Sequence, residues 1–145
     1  MEGRVLAIDL GSKRVGVAVS DELRDTTRPL PPLPRTPWKR LCAALINLCE
    51  EFDVKMVVLG LPLRLDGSEG DAANEVKRIA RNLTLSLHLP VELQDERYTS
   101  KDAEDNLRQI GVRVQSFVEY VDSESAAIIL NDYLSRPSRT SDGLI

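Results

Sequence analysis

The sequence predicts an α/β domain with a mixed sheet flanked by helices. Three observations carry this. The chain opens on two strand-like segments joined by a tight turn. Two later segments of strand length, the apolar run 55–60 and residues 91–95, each follow a helical pattern of apolar residues. The length, 145 residues, suits one domain with a real core, expected over residues 1–135 with a tail beyond. Strands separated by helices imply parallel neighbours built by crossover connections.

The elements follow in order. Arg4–Leu10 and Arg14–Ser20 are rich in Val, Ile, Leu and Ala, and Gly11-Ser12-Lys13 joins them, which makes an antiparallel hairpin. Residues Arg28 to Pro37 hold five prolines, so they supply an edge strand at most, then a linker. Thr36 is the expected N-cap and Pro37 the first turn of a helix whose apolar face is Leu41, Leu45, Leu48 and Phe52. Lys55–Gly60, "KMVVLG", reads as a strand buried on both faces. After the loop "LPLRLDGSEG", Ala72, Val76, Ile79, Ala80, Leu83 and Leu87 mark a long helix that Pro90 ends. "VELQD", Val91–Asp95, is the next strand. Thr99-Ser100-Lys101-Asp102 fits a capping box for a helix closed by Gly111. Residues 112–121 read as a loop, Asp122 or Ser123 as the cap of a last helix through Leu134, and Arg136 to Ile145 as a polar, disordered tail.

Composition narrows the classes. Hydrophobic residues make up 42% and charged residues 29%, as in soluble globular proteins. No run of about 18 apolar residues exists to span a membrane. The given sequence goes straight into a strand-like segment, with no basic region and cleavage site before it, so no secretory signal is expected. Cys42 and Cys49 lie seven apart in a helical pattern, a spacing for core packing rather than for metal or redox work. A reducing, cytoplasmic setting is therefore expected. Net charge is −4, which argues against a nucleic-acid partner, but its distribution argues back. Residues 1–40 hold eight Lys/Arg against five Asp/Glu, and residues 41–145 hold eleven against eighteen. For an anionic ligand the local sign outweighs the total.

In such sheets ligands bind beyond the carboxyl ends of the parallel strands. Asp9 sits near that end of the first strand, and a carboxylate inside an apolar strand pair needs a partner or a metal. Asp95 ends the "VELQD" strand and Glu96 follows it immediately. Neighbours on a strand point to opposite faces, and spacing does not choose between them. Asp122, at the expected helix start, is the third acid. Two of them also have a structural role open: Asp122 as a helix cap, Glu96 as an ion-pair partner of Arg97 or a helix-dipole charge. If three acids converge at roughly 5 Å, each pair costs about 3 kcal/mol at an effective dielectric near 20. A divalent cation would offset that repulsion, and oxygen-only ligands suit Mg²⁺ or Mn²⁺.

Four segments in this order, "DLGSKRVGVAVSD", "GLPLRLDGSEG", "DERYTS" and "DSESAAIILNDYL", resemble the YqgF-type family of bacterial Holliday-junction-resolvase-like proteins, described as pre-16S rRNA nucleases. The resemblance covers about residues 4 to 135. It implies a ribonuclease-H-like fold with a five-stranded mixed sheet. It implies that Asp9, Glu96 and Asp122 are the catalytic, metal-holding acids, and so favours Glu96 over Asp95. It also implies that Lys13, Arg14 and Arg97 meet nucleic acid, and that the loop from Leu61 to Gly70 flanks the same cleft. Family members often carry lysines shortly before the third acid; here that stretch is "VQSFVEYVDSE", without lysine, and Arg113 is the nearest cation.

The leading expectation is a metal-dependent nuclease acting on structured RNA in the maturation of the 5′ end of small-subunit rRNA, a monomer or weak dimer working on a ribosomal precursor particle. A resolvase of branched DNA is the near alternative; paired incisions would call for a dimer. A non-catalytic nucleic-acid or transcription-complex module is a third class, opposed by the acids, because a plain binder gains nothing from negative charge beside phosphate. The D-L-G-S-K-R turn also resembles the phosphate loop of the actin and sugar-kinase superfamily, which binds ATP between two large domains, and this chain has room for one. His88, the single histidine, reads as a partner of a helix C-terminus rather than a catalyst. Trp38 and Phe117 read as packing residues that could otherwise stack on bases.

Overall fold

The structure, a computed structural model, describes residues 3–64, 66–95 and 114–135, the last segment with side chains from residue 123. The elements are β1 (Arg4–Leu10), β2 (Arg14–Ser20), β3 (Thr27–Pro34), α1 (Trp38–Glu51), β4 (Val54–Leu61), α2 (Asp71–Leu87), β5 (Val91–Asp95) and α3 (Val114–Leu134). The strands form one sheet in the order β3-β2-β1-β4-β5. β1–β2 and β2–β3 are antiparallel, while β1–β4 and β4–β5 are parallel. The carboxyl ends of β1, β3, β4 and β5 therefore lie along one edge of the sheet.

Strand alternation sorts the core into two layers. Leu6, Ile8, Val57 and Leu59 pack with Leu41, Leu45 and Cys49 of α1 and with Val76, Ile79 and Leu83 of α2. The opposite positions, Val5, Ala7, Ala18 and Val58, pack with Ala126, Ala127, Ile129, Leu130 and Tyr133 of α3. The small residues Ala7 and Ala18 of the sheet face the small residues Ala126 and Ala127 of the helix, which brings α3 close to the central strands. β1 and β4 are covered on both sides, as their unbroken apolar runs require. Within α1, Cys49 is buried and Cys42 half-buried, and burial pushes the Cys49 thiol up to about 11. Both are packing residues, as expected.

The hairpin, the edge strand, β4, α2 and β5 lie where the sequence pattern puts them. Three expectations are corrected. Thr36 does not cap α1: Pro37 holds the N-cap position in an extended conformation, and its carbonyl accepts from the N–H groups of Arg40 and Leu41. In α2 it is Ala73 that is buried, while Ala72 faces outward. Residues from Val114 onward, read as a loop, are already helical, so Asp122 and Ser123 lie inside α3 rather than at its start. The expected helix after Thr99 and the expected tail lie outside the described residues. His88 ends α2 in the left-handed conformation with φ 56°, its N–H bonded to the Thr84 carbonyl at 3.0 Å. No helix among the described residues is long and apolar enough to cross a membrane.

Ser123 explains how α3 is seated. The β2–β3 ladder slips between Val15 and Val17: Val15 pairs with Leu33, but Val17 pairs with Leu30. The extra residue falls at Pro31-Pro32, which have no N–H to offer. The Ser123 hydroxyl, fully buried, enters this irregularity. It donates to the Leu30 carbonyl, and the Val17 N–H donates to it at 3.5 Å. One hydroxyl thus serves as donor and acceptor for two strands at once. Ser123→Ala should leave those buried groups short of a partner and lower stability by about 1–3 kcal/mol, the cost of unsatisfied buried polar groups. A urea midpoint equal to wild type would show that the hydroxyl contributes nothing to seating the helix.

Candidate nucleic-acid interface and active site

The site is assembled from the end of β1. Asp9 follows Ile8 and has the parity of Val5 and Ala7, so it belongs to the α3 face of the sheet and is half-buried there. Its lateral partner on β2 is Gly16, and Gly60 follows Leu59, the β4 partner of Ile8. Neither glycine carries a side chain to crowd the acid. In turn, Gly60 pairs with Gln94 of β5. The parity of β5 is set by Glu92, which accepts from the Tyr133 hydroxyl of α3 at 3.0 Å, and by Leu93, which packs in the layer of α1 and α2. Gln94 is therefore on the face of Asp9. Asp95 is on the other face, beside Leu61.

Gln94 was not singled out by its sequence. It is buried, and among the described residues its Oε1 has no hydrogen-bond partner. A buried carbonyl oxygen without a donor costs free energy unless something outside the described residues meets it. Asp9 and Gln94 thus offer oxygen atoms on one face at one edge, a donor type that suits Mg²⁺ or Mn²⁺. Among the described residues no cluster of three His, Cys, Asp or Glu side chains is present. Glu96 and Arg97 lie outside them. Asp122 is placed by its backbone: it precedes Ser123, whose hydroxyl contacts Val17, the residue after the Asp9 partner Gly16. This part of α3 therefore crosses the sheet beside the strand pair that carries Asp9.

The turn beyond Asp9 is tightly constrained. The Gly11 N–H donates to the Asp9 carbonyl at 3.1 Å and to the Arg14 carbonyl at 3.0 Å. A Cβ on Gly11 would lie 2.6 Å from that Arg14 oxygen, so no larger residue fits without moving the backbone. Lys13 is exposed, Arg14 half-buried, and a cavity of about 440 Å³ opens against Gly11, Ser12, Lys13 and Arg14.

Arg35 braces this turn from the adjacent strand end. Its N–H donates to the Lys13 carbonyl at 3.0 Å, and its Nη1 donates to the Gly11 carbonyl at 2.8 Å. Its Nη2 reaches Glu75 of α2 at 3.4 Å. By sequence Arg35 is only one of the eight Lys/Arg of residues 1–40. Its role depends on β3 lying beside β2, which no local signal declares. The Leu61–Gly70 loop leaves β4 at the same edge; within it Asp66 accepts from the Ser68 N–H at 2.9 Å, and the Arg64 guanidinium packs against Gly70.

Comparison with known proteins agrees with this architecture. A protein of Chloroflexus aurantiacus named "Putative pre-16S rRNA nuclease" is 39% identical over 142 residues, covering 95% of this chain and 93% of that protein. One of the same name from Syntrophus aciditrophicus is 40% identical over 136 residues, 94% of this chain and 91% of the other. Among solved structures, the RuvC protein of T. thermophilus in complex with a Holliday junction substrate superposes with a TM-score of 0.55 at 15% identity, over 90% of this chain and 94% of that one. At that identity the likeness shows the fold, which is ribonuclease-H-like, as the resemblance implied. Residues 3–136 match the family described as RuvX: Holliday junction resolvase, and the chain belongs to that family.

Proposed function

We propose that this protein is a metal-dependent nuclease that hydrolyses phosphodiester bonds of structured RNA, and that its task is maturation of the 5′ end of pre-16S rRNA. The observation that carries the reading is the position of Asp9: an acid at the carboxyl edge of the sheet, beside a braced cationic turn. Acids repel phosphate unless a cation intervenes, and the two kinds of charge side by side suit a site that binds both a metal ion and a nucleic-acid backbone. The names of the relatives support RNA as substrate. The description of the family supports branched DNA as the second reading.

In this proposal Asp9, Glu96 and Asp122 hold Mg²⁺ or Mn²⁺. The bound ion supplies activation of water and stabilisation of the leaving oxygen. Gln94 adds a neutral oxygen on the same face. Lys13 and Arg14 take the phosphates that flank the scissile bond, and Arg97 takes one on the side of β5. No histidine general base takes part, since His88 caps α2.

Three outcomes are expected. Asp9→Asn, Glu96→Gln and Asp122→Asn each lower cleavage of precursor rRNA by orders of magnitude while the protein stays folded; full activity of the Asp9 variant would end the metal-nuclease reading. Incubation of the same proteins with a four-way DNA junction, together with the oligomeric state, separates the two substrates, because a resolvase cuts in pairs as a dimer.

Lys13→Ala with Arg14→Ala reduces the salt slope of nucleic-acid binding by about one to two units. An unchanged slope would place the phosphate track elsewhere.

In EDTA, Asp9→Asn melts higher than wild type by a few degrees, on the order of 1 kcal/mol, because mutual repulsion of the acids is relieved. Millimolar Mg²⁺ then raises wild type more than the variant by mass action. Equal shifts of both proteins would make Asp9 a structural acid.

A further inference from the structure

Trp38, the single tryptophan of the chain, does not pack in the core. It is 38% exposed at the first position of α1. It borders a cleft of about 330 Å³ together with Arg35, Glu75, Arg78 and Asn82. That volume lies within the range of small-ligand clefts, about 300–1,000 Å³. Its lining combines an aromatic face, two guanidinium groups and an amide, the groups that stack on, neutralise and hydrogen-bond a nucleotide.

Two further facts set the sign and the place of this cleft. Glu75 pairs with both Arg35 and Arg78, at 3.4 and 3.7 Å, so the lining keeps one net positive charge. Arg81, three residues along the exposed side of α2, and the exposed Lys39 and Arg40 beside Trp38 add to it. The cleft also adjoins the turn of the candidate site, because Arg35 borders the cleft and bonds the Gly11 and Lys13 carbonyls. A strand of nucleic acid whose phosphates meet Lys13 and Arg14 would reach Trp38 across Arg35, on the α1–α2 side of the sheet edge.

We infer that the Trp38–Arg78–Asn82 cleft binds an unpaired nucleotide of the nucleic-acid substrate, with the base stacked on Trp38 and the adjoining phosphate held by Arg78. This deepens the nuclease reading and rests on it. The cleft would favour substrates with a single-stranded segment next to the cleaved bond over continuous duplex.

Trp38 itself reports the test, since all tryptophan emission comes from it. The full chain is titrated in EDTA with single-stranded oligoadenylate RNA, with blunt duplex RNA and with inorganic polyphosphate. Binding of each labelled RNA is followed in parallel by anisotropy. Single-stranded RNA should quench the emission saturably, and polyphosphate should not. Trp38→Ala should weaken single-strand binding about 5- to 150-fold, the range for loss of one base–aromatic stack, and leave duplex binding nearly unchanged. Trp38→Phe should restore most of the loss, and a misfolded site would not be rescued by a ring alone. Arg78→Ala should lower the salt slope by about one. RNA bound with unchanged emission and unchanged affinity of Trp38→Ala would overturn the cleft and leave the nuclease reading standing. No RNA binding by anisotropy, together with no cleavage in Mg²⁺, would overturn that reading and the cleft with it.

Discussion

The hydroxyl of Ser123 in the irregular ladder of β2 and β3 is the contact on which the functional face depends. Two prolines in β3 cannot complete the ladder, and the slip they cause leaves strand polar groups that need another partner. Burying such groups unpaired is costly, so the fold requires something polar at that point. A serine on α3 meets the requirement, and in doing so fixes where the helix crosses the sheet. Apolar packing of Ala126, Ala127, Ile129 and Leu130 holds α3 down but is not directional. The hydroxyl supplies the direction and sets the residues just before it near β2, beside Asp9.

The carboxyl edge of the sheet concentrates opposite charges. Asp9 is the last residue but one of β1, a cationic turn follows within five residues, and Arg35 arrives from β3. Such a mixture keeps its arrangement only if the backbone positions that carry it are fixed. Gly11 and Arg35 fix them. The glycine allows a turn that a Cβ would break, and Arg35 spends its donors on backbone carbonyls and on Glu75. The guanidinium is thereby a structural part of the turn, while Lys13 stays exposed toward solvent. Division of labour between a bracing arginine and an exposed lysine follows from their chemistry: a planar fork suits fixed carbonyls, a point charge on a flexible stem suits phosphate.

Much of this was legible in the sequence because it is local. Alternation and apolar runs marked β1, β2, β4 and β5, and a 3.6-residue period marked α2. Family resemblance supplied the strand number and the preference for Glu96 over Asp95. The choice between Asp95 and Glu96 illustrates the limit. Neighbouring strand residues face opposite ways, and the face becomes known only when Glu92 is found bonded to Tyr133 of α3 and Asp95 beside Leu61. The start of α3 was misread for a related reason. Asp-Ser before an alanine-rich run has the chemistry of a helix cap, and cap chemistry is local. The Ser123 hydroxyl is used across the sheet instead, 93 residues from Leu30.

By itself the sequence determined the element types, the hairpin turn, the edge character of the proline-rich strand and the acid at the end of β1. These depend on side-chain periodicity, on the missing N–H of proline and on the small size of glycine, all properties of residues close together in the chain. Tertiary structure decided the strand order, the opposite faces on which Asp9 and Asp95 lie, the bracing of the turn by Arg35 and the exposure of Trp38. Each of these joins residues far apart in the chain, and their energies exist only once the sheet has brought the partners together.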